Sequence, residues 1–474
     1  MKDRRNRRPP DRSQDARSER SFRPRNAREL ALAVLREAEA EDGFVVRRLE
    51  AALAASDLSP PDRRLTTELV FGVVRRAATL DALLRQCVKR PASQVEEDLW
   101  TILRLGAYQL VFLTSIPPHA AVHATVELAQ ALGEPRWKGF ANGVLRGVGR
   151  LLSDEQTEEP GPRAIPLQEG KYRLAKEPIF ADPASQFAEW FAQAFSFPGW
   201  LSERWQARFD REELLHLGFW YNTPPRFFLR VNLLQGSREE SLAELRSAGI
   251  EAEPGALPES ICLAGPVRVD DLPGFAEGRL TIQDESAMHA ARLLAPQPGE
   301  RVLDLCSAPG GKTTHLAELM QNTGYILAAD IRADRLKRVT DVASRLGIGI
   351  IEPLLLDAEL SNLPAEPFDA ALVDVPCSNT GVLAKRPEAR WRIAPSDLRE
   401  LPALQKRLLR RAVEMLRPGG RVVYSTCSIE PEENEQVVAE ILAADPSLQL
   451  VEERHHLPGR PADGGYQALL RKSE

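Results

Sequence analysis

The chain has 474 residues, 43% of them hydrophobic and 27% charged, enough for two or three packed domains. No apolar run approaches the roughly 20 residues of a membrane span, and no apolar segment follows the arginine-rich N-terminus, so neither a membrane protein nor a secretory signal is expected. Its five cysteines, Cys87, Cys262, Cys306, Cys377 and Cys427, are odd in number and contain no C-x-x-C pair. That pattern predicts free thiols, no metal site and a reducing cytoplasm.

The net charge of −6 argues against a general nucleic-acid coat, but the charge is unevenly spread. Residues 1–25 carry ten basic and four acidic side chains, a net +6. They read as a disordered basic tail, either simply solvated or acting as an arm that gains RNA phosphate contacts. In the second case, deleting it flattens the salt dependence of RNA affinity.

Residues 26–150 read as all helix, with apolar positions at helical spacing and no strand-like alternation. Four stretches, LVFGVVRRAATLD, ILRLGAYQLVFL, IPPHAAVHATVELA and KGFANGVLR, resemble in order the NusB-like helical RNA-binding domain. Arg75, Arg76, Lys138 and Arg146 then either face phosphates or are ordinary solvated cations. Residues 151–183, rich in Pro and Gly, read as a linker. Residues 184–285 read as a helical and α+β RNA-binding extension whose Trp and Phe residues are better taken as core than as a base-stacking platform.

From residue 286 to 474 an α/β domain is expected. Strands and helices alternate from Gly299, which predicts an open α/β sheet with strands at 301–305, 325–330, 348–356, 368–374, 421–426 and 465–470. Its centre is RVLDLCSAPGGKTTHLAEL, a strand, a tight loop at 306–312 and a helix, an arrangement that aims backbone N–H groups at a ligand. A phosphate-binding P-loop needs glycine where Cys306 stands, so the loop of an S-adenosylmethionine methyltransferase fits better. Three strands end in aspartate: Asp330 suits ribose hydroxyls, Asp357 the adenine amino group, and Asp374 closes the fourth strand. Cys377 and Cys427 follow the fourth and fifth strands, so neighbouring strands bring both thiols to one crevice. A thiolate adding to cytosine C6 makes C5 nucleophilic toward a methyl sulfonium, and the residues alone leave open which thiol attacks.

DLCSAPGGKT, DVPCSNTG and YSTCSIEPEENE resemble the motifs of the Sun-type RNA (cytosine-5) methyltransferases over roughly residues 184–474, with Val375 in place of the usual alanine. Together with the NusB-like segment, the resemblance covers the chain after its tail. It implies a multidomain fold: an all-α NusB-like domain, then an α/β Rossmann-like methyltransferase domain with a small α+β N-terminal extension. It implies Cys427 as nucleophile, Cys377 in product release, and S-adenosyl-L-methionine bound by Cys306, Ser307, Ala308, Pro309, Gly310, Gly311, Lys312, Asp330, Asp357 and Asp374. Asp374 is also expected at the cytosine edge. Ribosomal RNA, the 16S RNA of the small subunit, is the implied partner of a monomeric enzyme with no metal and no membrane contact. Two other classes compete: a non-catalytic assembly factor that keeps both folds as scaffolds, and a protein or DNA methylase. Cys427 beside an intact cofactor loop argues against the first, and the NusB-like segment against the second.

Overall fold

Helical periodicity in the first third of the chain is realised as α1 (Ala27–Ala40), α2 (Val45–Ala54), α3 (Pro60–Arg75), α4 (Ala77–Cys87), α5 (Glu97–Phe112), α6 (Pro118–Ala131) and α7 (Trp137–Leu151). The structure, a computed structural model, describes residues 22–40, 45–168, 170–265 and 267–474. All but the last four residues of the basic tail expected over 1–25 therefore lie outside the described residues. Two compact units emerge, one of the described residues through Leu167 with Lys171–Ser196, the other of Gln168–Gly170 with Phe197–Glu474.

In the first unit, glycines inside helices mark close approaches. A Cβ on Gly72 would lie 2.0 Å from the Tyr108 ring, and one on Gly106 would lie 2.6 Å from Leu145, so these positions set how tightly α3, α5 and α7 pack. The stretch 151–183 is not the unstructured linker its Pro and Gly content suggested. It forms β1 (Leu152–Thr157), β2 (Ala164–Pro166) and β3 (Tyr172–Ala175), an antiparallel sheet of order β1-β3-β2. Strands this short carry too few alternations to show a period. Next, α8 (Phe187–Phe195) lies against α4, where Thr79 Oγ1 donates to the Ala194 carbonyl at 2.8 Å. Residues 184–196 thus belong to the first unit rather than to the extension.

Two of the four cations read as either phosphate-facing or solvated are instead committed to the fold. Arg76 is buried and donates to the Pro166 and Leu167 carbonyls at 3.0 and 2.8 Å, and burial brings its pKa down to about 10. Arg75 is buried with its guanidinium 5.3 Å from the Phe71 ring centre. Lys138 pairs with Glu127 at 2.7 Å, while Arg146 is exposed.

The second unit begins with α9 (Gly199–Gln206) and α10 (Arg211–Asn222). Trp205, like Trp190, Phe191 and Phe195 of the first unit, is buried, so the aromatic residues are core. Then come β4 (Phe227–Val231), α11 (Arg238–Ser247), β5 (Ala252–Pro254), β6 (Ser260–Leu263) and β7 (Leu280–Ile282), a four-stranded antiparallel sheet of order β5-β6-β4-β7.

The α/β part runs α12 (Glu285–Leu294), β8 (Arg301–Leu305), α13 (Gly311–Leu319), β9 (Tyr325–Asp330), α14 (Ala333–Arg345), β10 (Ile351–Leu355), β11 (Phe368–Asp374), α15 (Ala389–Arg392), α16 (Asp397–Glu414), β12 (Leu416–Thr426), α17 (Glu435–Ala444), β13 (Leu448–His456) and β14 (Gly465–Lys472). Its seven strands are ordered β10-β9-β8-β11-β12-β14-β13, parallel through β12, with β14 and β13 antiparallel. Apolar residues of α12, α13 and α14 fill one face and those of α16 and α17 the other. The chain reverses direction along the sheet between β8 and β11, and ligands in such sheets bind beyond the strand C-termini at that switch. β13 escapes sequence reading because this edge strand is largely exposed on both faces and so lacks alternation.

Candidate active site

The loop after β8 is shaped by its backbone. Cys306 has φ +73° and Gly310 φ +105°, and the N–H groups of Cys306 and Ser307 both bond the Ala329 carbonyl of β9. A Cβ on Gly310 would lie 3.0 Å from the Val339 backbone, so glycine is required there by both conformation and space. The Ala308 N–H donates to Asp330 at 3.3 Å, and Arg335 donates to the Ala308 carbonyl at 3.0 Å. Pro309 and Gly310 complete the turn into Gly311 and α13.

The site residues separate by what they already hold. Lys312 Nζ donates to Asp374 Oδ2 at 2.9 Å. Burial pulls the Lys312 ammonium down, and the Asp374 carboxylate more than offsets this, so its pKa is raised. Asp330 is buried at the end of β9. Asp357 differs from the other strand-terminal acids: its oxygens accept the Glu359 and Ser361 N–H groups and the Ser361 hydroxyl, capping its own loop. Burial first, then the nearby aspartates, push the Cys306 thiol far up. Among the described residues, the buried Ser307 Oγ has no hydrogen-bond partner. Ile331, directly after Asp330, is 65% exposed. An unpartnered hydroxyl, a buried acid and an exposed aliphatic face suit a polar adenosyl ligand with an apolar ring, so these residues fit S-adenosylmethionine. Ile331 was missed in the sequence because exposure has no signature there.

Asp304 lies beneath the loop, fully buried, accepting from Thr313 Oγ1 at 2.6 Å. Burial lifts its pKa to about 7. A carboxyl whose folded pKa exceeds its unfolded value favours the fold while protonated, and that contribution is lost as pH rises through the window from about 4 to about 7. Asp304→Asn, which keeps an acceptor for Thr313, is expected to remove about 3 kcal/mol of the decline between pH 5 and pH 8. Urea unfolding at pH 5 and pH 8 measures it, and an unchanged difference between the two pH values rules the assignment out.

The two thiols meet as the neighbouring-strand argument expected. β11 and β12 are parallel neighbours with Asp374 opposite Ser425, and Cys377 Sγ lies 2.9 Å from Cys427 Sγ. Their environments differ. Cys427 is lowered, first by the hydrogen bond from Cys377 and further by Arg386 and Lys312, against burial. Cys377 is raised well above the usual thiol range by its bond to Cys427, by burial and by Glu433. These surroundings favour Cys427 over Cys377 as the sulfur that gives up its proton.

Sequence reading missed the parts that clamp this pair. The fully buried Glu433 carboxylate accepts from the Ser378 N–H at 2.9 Å, from both the Ser378 and Ser428 hydroxyls, and from Gln405 at 3.0 Å. Ser378 and Ser428 each follow a cysteine, so one carboxylate ties both cysteine loops. Asn379, at φ +63°, donates to the Cys377 carbonyl, and its Oδ1 lies 3.4 Å from Cys427 Sγ and accepts from Arg386 at 2.7 Å. Gly381 donates to the Cys427 carbonyl at 2.9 Å. A Cβ there would lie 2.5 Å from the Gly464 carbonyl oxygen and 2.8 Å from that of Cys427, both backbone atoms. Gly381→Ala is expected to displace the Cys427 loop and cut turnover by about 100-fold while leaving cofactor affinity unchanged. Single-turnover kinetics with calorimetry separates the two, and full activity would show that the loop is not held this way.

Beneath the loop, Arg230 of β4 is fully buried. It makes a forked pair with Glu318 at 3.0 and 2.8 Å and donates to the Gly311 carbonyl at 2.6 Å and to Thr314 Oγ1 at 2.9 Å. Among the described residues, no group of three or more His, Cys, Asp or Glu could hold a metal, and no helix is long and apolar enough to cross a membrane.

Comparison with known proteins agrees with this architecture. Residues 291–468 match the family model described as 16S rRNA methyltransferase RsmB/F, residues 25–150 the NusB family, and residues 197–270 the ferredoxin-like domain of RsmF/B-like methyltransferases. The chain is 39% identical over 425 residues to the "Probable ribosomal RNA small subunit methyltransferase B" of Synechocystis, covering 88% of this chain and 89% of that protein. It is 38% identical to the ribosomal RNA small subunit methyltransferase B of Klebsiella pneumoniae, covering 87% and 88%. A solved structure described as "Crystal Structure of PH0851" superposes with TM-score 0.75 at 27% identity, covering 94% of this chain and 98% of that one. The chain therefore belongs to the S-adenosylmethionine-dependent ribosomal RNA small subunit methyltransferase B family.

Proposed function

We propose that this chain methylates carbon 5 of a cytosine in small-subunit 16S ribosomal RNA, in the cytoplasm, through a covalent bond between Cys427 and C6. The observation that carries the reading is the 2.9 Å pair of thiols at the ends of adjacent strands, with the Cys427 pKa lowered and the Cys377 pKa raised. Ser307, Asp330 and the backbone of residues 306–312 would hold S-adenosylmethionine, which supplies an electrophilic methyl group.

The Cys427 thiolate adds to C6, and the C5–C6 π electrons move toward C5, which becomes the nucleophile for the methyl group. The bond to C6 also removes the negative charge beside Cys377. With that repulsion gone, Cys377 releases its proton to solvent and becomes a base. It then takes the C5 proton, the electron pair re-forms C5=C6, and the C6–S bond breaks. Cys427 leaves as thiolate and Cys377 again carries a proton, which restores the resting pair. One proton is released per turnover. In this reading Asp374, held by Lys312, accepts from the cytosine edge. Asp357 is assigned to the adenine side only through its position beyond β10, since its carboxylate already caps a loop.

Incubation with methyl-labelled S-adenosylmethionine and small-subunit ribosomal RNA, followed by digestion to nucleosides, tests the reading. Label is expected in 5-methylcytidine; label in any other nucleoside, or none in RNA, overturns it.

A further inference from the structure

The first unit contains a cavity of about 680 Å³ that the methyl-transfer chemistry does not use. It lies between facing sides of α6 and α7, closed by Leu110 of α5 and by Lys176 just after β3. The size is within the range of roughly 300–1,000 Å³ typical of small-ligand sites. Its floor is apolar, with Leu110, Val126 and Leu145 buried. Its rim carries Arg146, Arg150 and Lys176, all exposed, and no Asp or Glu lines it. Among the described residues these three cations form no ion pair. Other cations of the unit do, as in Arg104 with Asp81 at 2.8 Å and Lys138 with Glu127 at 2.7 Å. Gly149 borders this space, and a Cβ there would meet nothing within 4 Å.

We propose that this cavity receives an unpaired nucleotide of the ribosomal RNA substrate, the base on the apolar floor and the flanking phosphates on Arg146, Arg150 and Lys176. The inference rests on ribosomal RNA being the substrate. A base-paired helix keeps its rings stacked inside and offers the floor nothing, whereas an unpaired nucleotide presents an apolar face and an anion together. The acid-free rim matches a polyanion.

Two variants of the full chain test this, with protein-free small-subunit ribosomal RNA as probe. Arg146→Gln/Arg150→Gln/Lys176→Gln removes the rim charges. Gly149→Trp fills the cavity and leaves the charge alone. Affinity is measured across salt concentrations, alongside KM and kcat for methylation, with thermal unfolding as the folding control. The triple variant is expected to raise KM at least tenfold and to reduce the slope of log affinity against log salt by about 2, at roughly 0.7 per single-strand phosphate contact, with kcat unchanged. Gly149→Trp is expected to weaken binding about fivefold with the slope unchanged, because the base loses its apolar floor. Wild-type affinity in a folded Gly149→Trp protein, or an unchanged salt slope in the triple variant, overturns the proposal. So does displacement of the RNA by polyglutamate as readily as by RNA, which would mark an acidic protein partner instead. Binding is read without catalysis, so RNA bound through this cavity but methylated elsewhere than cytosine C5 would sink the proposed reaction and leave the cavity assignment standing.

Discussion

Cys427→Ala is expected to abolish methyl transfer and every covalent link to RNA, whereas Cys377→Ala is expected to methylate and then stall as a protein–RNA adduct. Each cysteine follows a strand end in the same crevice, and the Asp-Val-Pro-Cys setting of Cys377 by itself would suit a nucleophile equally well. What separates them is the charge around them. Cys427 receives a hydrogen bond from Cys377 and the fields of Arg386 and Lys312, while Cys377 faces the Cys427 sulfur and Glu433. The thiol that ionises more readily is the better nucleophile, so the proposed cycle has Cys427 add and Cys377 act as the base that ends it. Without Cys377 the C5 proton has no acceptor and the C6–S bond persists, visible as a slow band on a denaturing gel. Both variants should bind S-adenosylmethionine with wild-type affinity. Adduct trapped in Cys427→Ala and none in Cys377→Ala would reverse the assignment. Residual activity in both variants with no adduct in either would end covalent catalysis.

Arg230→Met is expected to cost about 3–5 kcal/mol of stability, because it strands the buried Glu318 carboxylate without its partner. The guanidinium is fully buried, and its fork onto Glu318 also carries the bonds to Gly311 and Thr314 at the start of α13. The same variant should therefore weaken cofactor binding, since the turn at 306–312 loses its support from the four-stranded sheet. Burial already raises the Glu318 carboxyl against the pull of Arg230. Replacing both partners, Arg230→Met/Glu318→Leu, removes the stranded acid and should recover most of the stability but not the cofactor affinity. Urea midpoints and calorimetry read the two effects. Equal destabilisation by the single and double variants would show that the pair's cost is not a stranded charge.

What the sequence determined by itself was local or periodic. The helices of the first third are legible because burial on one side imposes a period, and the strands after Gly299 because burial on both faces leaves short continuous apolar runs. The turn at Gly310 is legible because glycine adopts positive φ at little cost, whereas the positive φ of Cys306 has no signal in the sequence. Family likeness added the roles of the two cysteines, which spacing alone left interchangeable. Tertiary structure decided what depends on partners distant in the chain. Only strand order puts Cys377 and Cys427 2.9 Å apart across a sequence separation of 50 residues, and only packing gives Glu433, Asn379 and Arg386 their places around them. Packing likewise made Arg76 a structural residue and Arg146 a free cation on a cavity rim, though both are arginines on helices of the same unit. A side chain's charge is written in the sequence; whether water, a carbonyl or a thiolate faces it is set by the fold.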